Sequence, residues 1–170
     1  TPESFSFGET TGDFFEVIEI IPKSLYGIFL ADIQGHGVSA ALVTIIVKML
    51  FTEATRKFIY PMNLIDYLNK QMSYIFKQKV FFTAFYVLID FNNERFIYSS
   101  GGHPYNLKYN AETENLEKLI TLGPMMGVYD KIEYRQKKKK LRRGDKIITY
   151  TDGLTEAQNK EGERYGENRL

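Results

Sequence analysis

Apolar residues recur among polar ones along residues 5–21, and the stretch reads as strand with a Gly-containing break near Gly12. The stretch IPKSL is a turn, in which Pro22 fixes φ and Ser24 can bond its own backbone. Residues 26–33 are apolar enough for a strand buried on both faces, and the two strands predict an antiparallel hairpin. From 38 to 55 the period becomes helical. Ala40, Ala41, Val43, Thr44, Val47, Leu50 and Phe51 recur at that spacing with few polar residues between, which predicts a helix packed hard against a sheet. Pro61 suits the first turn of a second helix, with Leu64, Ile65, Leu68, Met72, Ile75 and Phe76 on one face. Beyond residue 80 the chain returns to strands. Residues 81–91 and 95–100 flank a turn at NNE, and 105–109 and 116–120 flank NAETEN. Residues 131–141 and 146–151 are separated by a third turn, RRGD. LGPMMG (122–127) reads as a Gly/Pro loop, and 156–170 as a polar tail. Two strands, two helices and then many antiparallel strands make one α+β layered domain.

Composition narrows the function classes. The 170 residues are 44% hydrophobic and 25% charged, ordinary for a soluble domain with its own core. A net charge of +1 gives no global reason to expect nucleic acid or a membrane as partner. The absence of cysteine excludes disulfides and thiolate metal sites, and fits a cytoplasmic, reducing compartment. The longest apolar stretches, 45–51 and 80–89, fall short of the ~20 residues that span a bilayer, so no direct membrane insertion is expected. The chain opens on Thr1 and enters strand-like sequence at once. We therefore expect a piece of a longer protein with an upstream regulatory region.

Three aspartates share one setting. Asp13 lies in TTGDFFEV, Asp32 in LADIQGHG and Asp152 in TYTDGLTEA, each in or at the end of a strand with glycine nearby. A carboxylate beside a buried strand is costly unless a cation or donor compensates it. Nearby glycine lets backbone carbonyls and an ion approach closely. Oxygen-only donors suit hard divalent ions such as Mg²⁺ or Mn²⁺. Several converging carboxylates can hold two such ions ~3.5–4 Å apart. A single Asp-Gly is usually a turn, so the weight rests on the three together.

The blocks TGDFFEV, ADIQGHGVSAAL, FFTAFYVLID, YSSGGHPYNL, LGPMMGV and GDKIITYTDGLTEAQNKEGERYGENRL, in this order, resemble a known family. It is that of the bacterial metal-dependent Ser/Thr phosphatases of the sporulation stage II E and RsbU type, in the PPM (type 2C) superfamily. The resemblance runs from about residue 5 to 170. It implies an α-β-β-α sandwich of two antiparallel sheets flanked by helices, with a metal cleft at one edge. It also implies two Mn²⁺ or Mg²⁺ ions. Asp32 would bridge them, and Ile33 would contribute its main-chain carbonyl. Asp13 would hold the second ion in part through water, and Asp152 would ligate that ion directly. The attacking group would be a metal-activated water. The implied substrate is phosphoserine or phosphothreonine on a regulatory protein of the anti-sigma-factor antagonist type, and a dimer is compatible with the sequence.

His36 has two readings: general acid toward the leaving seryl or threonyl oxygen, or a structural residue that caps the following helix or bonds Asp32. His103, in GGHPYN, fits a hydrogen-bonded structural role better than catalysis. The sequence departs from the family at Thr11-Gly12-Asp13, where Gly-Gly-Asp is usual, and at Phe15-Glu16, where an aromatic-Asp pair is usual. The family also continues past YGENRL into helix and a final strand whose Asp is a further ligand, so a C-terminally truncated fold is expected. These departures keep a second reading open: a degenerate domain that binds a phosphoprotein partner without turnover. A third reading is a structural domain that needs no metal. The basic run from Lys131 to Lys146 reads as a solvated edge strand protected by lysines, or as a patch for an acidic or phosphorylated partner.

Overall fold

The computed structural model describes residues 12–35 and 37–170. The predicted strand start at 5–11 lies outside them. β1 (Asp13–Ile21) and β2 (Leu25–Ile33) form the predicted hairpin. α1 (Gly37–Lys57) and α2 (Pro61–Phe76) follow, with Pro61 in the first turn of α2 as expected. β3 (Phe82–Asp90) and β4 (Arg95–Gly101) make a second hairpin, and β5 (Asn106–Asn110) and β6 (Asn115–Leu119) a third. The short strands β7 (Gln136–Lys140) and β8 (Lys146–Ile148) precede α3 (Asp152–Glu156) and a single 3-10 turn at Glu167–Arg169. The strands form a five-stranded sheet, β1-β2-β3-β4-β7, and a three-stranded one, β6-β5-β8. Every strand pairing in both is antiparallel.

The period-two alternation of β3 explains its unbroken apolar sequence. Ala84 and Tyr86 face the helices, where they join Phe29, Ala31 and Ile33 of β2 against Val47, Phe51, Leu64, Leu68 and Met72. The Phe29 and Phe51 rings stack at 4.4 Å. Phe85 and Val87 face the other way and pack, with Phe96 and Tyr98, against Leu119 and Ile147 of the second sheet. Each such side chain contributes roughly 1.5–3 kcal/mol when fully buried. The layers are therefore helices, sheet, sheet. Beyond β8, the described residues add only α3 and the 3-10 turn.

Two expectations are corrected. Residues 131–141 and 146–151 hold strands only at β7 and β8, and the two do not pair: β7 extends the first sheet beside β4, β8 the second beside β5. The RRGD turn carries the chain from one sheet to the other. Leu141 N–H donates to the Glu94 carbonyl (2.8 Å) in the first sheet. Asp145 accepts from Arg142 N–H and Ala111 N–H (both 3.0 Å) and pairs with Lys108 Nζ (2.9 Å) in the second. Residues 128–135 stay irregular because α2 holds this part of the chain through buried Asn69, which accepts from Gly127 N–H (2.8 Å) and donates to the Tyr129 carbonyl (2.7 Å).

The other correction concerns α1, which packs hard on one side only. Ala40, Val47, Phe51 and Ala54 are buried, whereas Val38, Leu42, Ile45 and Met49 are exposed. By length and composition alone this helix is long and apolar enough to cross a membrane. Counting uninterrupted apolar runs missed that, because Lys48 divides the stretch. Its buried stripe belongs to the core against the sheet and α2.

Candidate active site

Antiparallel register creates the centre of the site. Asp13 opens β1, Asp32 lies one residue from the end of β2, and the two are direct partners. Side chains so placed share a face, with Cβ atoms about 4.5–5.5 Å apart. Glycine makes this close pairing feasible. Ile33 N–H donates to the Gly12 carbonyl (3.1 Å), and a Cβ on Gly12 would stand 2.0 Å from the Ile33 oxygen. No side chain fits there without moving β2.

The third carboxylate arrives from 139 residues away in sequence (152 − 13). Thr151 Oγ1 donates to Asp13 Oδ2 at 2.7 Å, and Asp152 follows at the head of α3. A Cβ on Gly153 would lie 3.6 Å from the same Asp13 oxygen, so this turn lies against β1. Asp13 and Asp152 are exposed and Asp32 is half-buried. Burial, then the charge of Asp152, then that of Asp13, push the Asp32 carboxyl up to about 6. Three like charges thus converge, and among the described residues only the Thr151 hydroxyl donates to any of them. Among the described residues no group of three His, Asp or Glu side chains closes into a finished cation cage. The donor set nonetheless suits a hard divalent ion: carboxylate oxygens, an open mouth, and a repulsion that a cation would relieve.

The remaining expectations sort by position. Ile33 buries its side chain in the core, so only its main chain can serve the site, and its carbonyl lies against Gly12. His36 lies outside the described residues. Glu16 does not belong to the site: it faces the helix side of β1 and pairs with Lys48 Nζ at 3.3 Å, on the opposite face from Asp13. The unusual Phe15-Glu16 pair therefore leaves the acidic cluster untouched.

His103 is structural, as expected, yet it braces the site. Its Nε2 bonds the Tyr150 carbonyl and its Nδ1 bonds Thr83 Oγ1, both at 2.9 Å. A carbonyl can only accept, so Nε2 carries the proton, and neutral Nδ1 accepts from the Thr83 hydroxyl. Burial pushes this histidine below its ordinary value, against the Tyr150 bond and the charges of Asp13 and Asp152. Thr83 is the register partner of Asp32 on β3, and Tyr150 precedes Asp152 by two residues. The ring thus ties together the two segments that carry these carboxylates. Sequence reasoning missed Thr83 and Thr151, because neither has a local signal and both depend on strand register.

Residues 22–170 match the model of the family described as Stage II sporulation protein E (SpoIIE). The chain belongs to the SpoIIE family. This is the family that its motifs resemble. Phosphoserine phosphatase RsbU of Bacillus subtilis (strain 168) is 26% identical over 154 residues, which is 91% of this chain and 45% of RsbU. The chain spans less than half the length of RsbU and of phosphoserine phosphatase RsbP from the same organism. The SiaA-PP2C domain of Pseudomonas aeruginosa superposes with a TM-score of 0.78 at 22% identity, over 94% of this chain and 63% of that one. RsbX in complex with magnesium gives 0.69 at 22% identity, over 85% of this chain and 67% of that one. The two structural matches establish the same α+β fold with two antiparallel sheets.

Proposed function

We propose that this SpoIIE-family domain hydrolyses phosphoserine or phosphothreonine on a regulatory partner protein of the anti-sigma-factor antagonist type, with Mn²⁺ or Mg²⁺ as cofactor. The observation that carries the reading is the convergence of Asp13, Asp32 and Asp152, with Asp32 pushed up to about 6 by burial and by its two neighbours. The name of RsbU and the magnesium complex of RsbX point the same way.

Divalent ions in such a site supply charge neutralisation for a phosphoryl group and a water of lowered pKa. The chain's own residues do the rest. Asp32, central and half-buried, would hold the cations together with its two neighbours. Asp13 and Asp152 flank it, with the Ile33 carbonyl as a neutral donor. Thr151 fixes one Asp13 oxygen by its hydrogen bond, and the other would serve as ligand. Neutral His103 draws the Thr83 proton away from Asp32, so that hydroxyl presents lone pairs on its free side. His36, which directly follows Gln34-Gly35 in the sequence, is assigned the general acid that would protonate the leaving oxygen. We place the protein in the cytoplasm and leave dimerisation within the proposal.

One observation favours the second reading, a partner-binding domain without turnover: the described carboxylates do not close a finished cage. Hydrolysis of p-nitrophenyl phosphate and of a phosphoserine peptide by the full-length protein, with and without Mn²⁺, separates the two. We expect turnover that needs the ion and that chelation removes. Equal rates in chelator would overturn the metal-dependent reading. No turnover, with micromolar binding of the phosphopeptide retained, would favour the binding domain.

A further inference from the structure

The basic run supplies a surface that the acidic site does not use. β7 is the last strand of the five-stranded sheet, and no further strand pairs with its outer edge among the described residues. It lies four strand spacings from β1, roughly 19 Å. Its residues 137–140 are all lysine. Lys139 pairs with Glu117, but Lys137, Lys138, Lys140 and Arg143 have no carboxylate within 4.0 Å among the described residues. Alternation places Lys138 and Lys140 on one face of the strand, opposite Ile97 and Arg95. Beside them lies a hollow of about 410 Å³ whose lining is mainly basic, with Arg95, Lys138, Lys140 and Arg142 outnumbering a single carboxylate, Glu94. A second hollow of about 370 Å³ continues it past Leu141 and Arg142 to exposed Phe91.

We propose that this edge of β7 receives an extended acidic segment of a partner protein as an added strand. Main-chain groups of β7 pair with the segment, and carboxylates at alternate positions oppose Lys138 and Lys140. Edge lysines repel a neutral or basic strand, which guards against self-association. The same lysines favour a strand of opposite charge, so protection and selectivity come from one feature. A nucleic acid fits less well. A phosphate backbone cannot use a line of amide donors and carbonyl acceptors, whereas an extended peptide pairs with it. The inference stands independently of the phosphatase reading.

The test uses a fluorescein-labelled ten-residue peptide alternating Glu and Val, followed by fluorescence anisotropy with the full-length protein. A second peptide carries proline at two central Val positions, which keeps the charge and forbids strand pairing. We expect the alternating peptide to bind at least tenfold more tightly than the proline peptide. It should also protect the amides of residues 136–140 from hydrogen exchange. Lys138→Glu/Lys140→Glu should weaken binding more than tenfold, and Lys138→Gln/Lys140→Gln by less, with the melting temperature of both unchanged. Equal binding of the two peptides, tighter binding of an oligothymidylate, or no binding at millimolar peptide would each overturn the proposal.

Discussion

Asparagine in place of Asp32 is expected to stabilise the metal-free protein while abolishing its metal-dependent hydrolysis. The folded protein holds Asp32 at about 6, raised by burial, by Asp152 and by Asp13, against an ordinary value near 4. A group with a raised value favours folding fully while it is protonated, below about pH 4. That contribution is lost as pH rises through about 6. At pH 8 the ionised carboxylate therefore costs stability. The shift corresponds to about 3 kcal/mol, and partial solvent screening reduces this to about 1–2 kcal/mol. The asparagine variant should melt roughly 3–6 °C above the parent at pH 8 and level with it at pH 4. Loss of activity should exceed the roughly 10–100-fold that removing an outer partner of a metal ligand costs. A variant that melts lower than the parent across this range would show that Asp32 is not under repulsion.

The second large effect lies far from that site. Asp145 has only 1% of its side chain exposed and Lys108 9%, and their charges meet at 2.9 Å. Burial alone would raise the Asp145 carboxyl. The Arg142 amide, Lys108 and the Ala111 amide outweigh it and hold the group at about 2. Asp145→Ala removes the carboxylate but leaves the Lys108 ammonium buried without its partner. Breaking such a pair costs about 3–5 kcal/mol, and here it also frees the amides that steer the chain between the sheets. For a domain of this size the melting temperature should fall by roughly 6–20 °C, read by thermal unfolding at neutral pH. The pH dependence has the opposite sign to that of Asp32. A lowered value contributes stability above about pH 4, which is lost as pH falls toward 2. The difference between parent and variant should therefore shrink across that range. A constant difference would mean that the loss is one of packing alone.

The fold was legible where its signals are local. The apolar runs of β2 and β3, helical spacing in α1 and α2, and turn residues before β2 and β6 each announce an element within a few neighbours. The chain's passage between sheets at RRGD was not legible, since a Gly-Asp turn looks the same whether the strands beside it pair or part. Only Lys108 and Ala111, more than thirty residues earlier, decide it. The acidic cluster shows the same division. Asp13, Asp32 and Asp152 stand out because a carboxylate beside glycine at a strand end is odd in itself. Thr83, Thr151 and the bracing role of His103 depend on which residues the register sets side by side. The place of Glu16 was not legible either: it lies three residues from Asp13, and three residues along a strand reverse the face.

The account rests on one claim, that three carboxylates from separate strands and a short helix act as a single divalent-cation site. Mn²⁺ titration of the full-length protein, followed by the loss of free-ion electron paramagnetic resonance signal, tests it most directly when repeated with Asp13→Asn, Asp32→Asn and Asp152→Asn. We predict saturable binding by the parent and at least tenfold weaker binding by each variant. Parent-like binding by all three variants would contradict it.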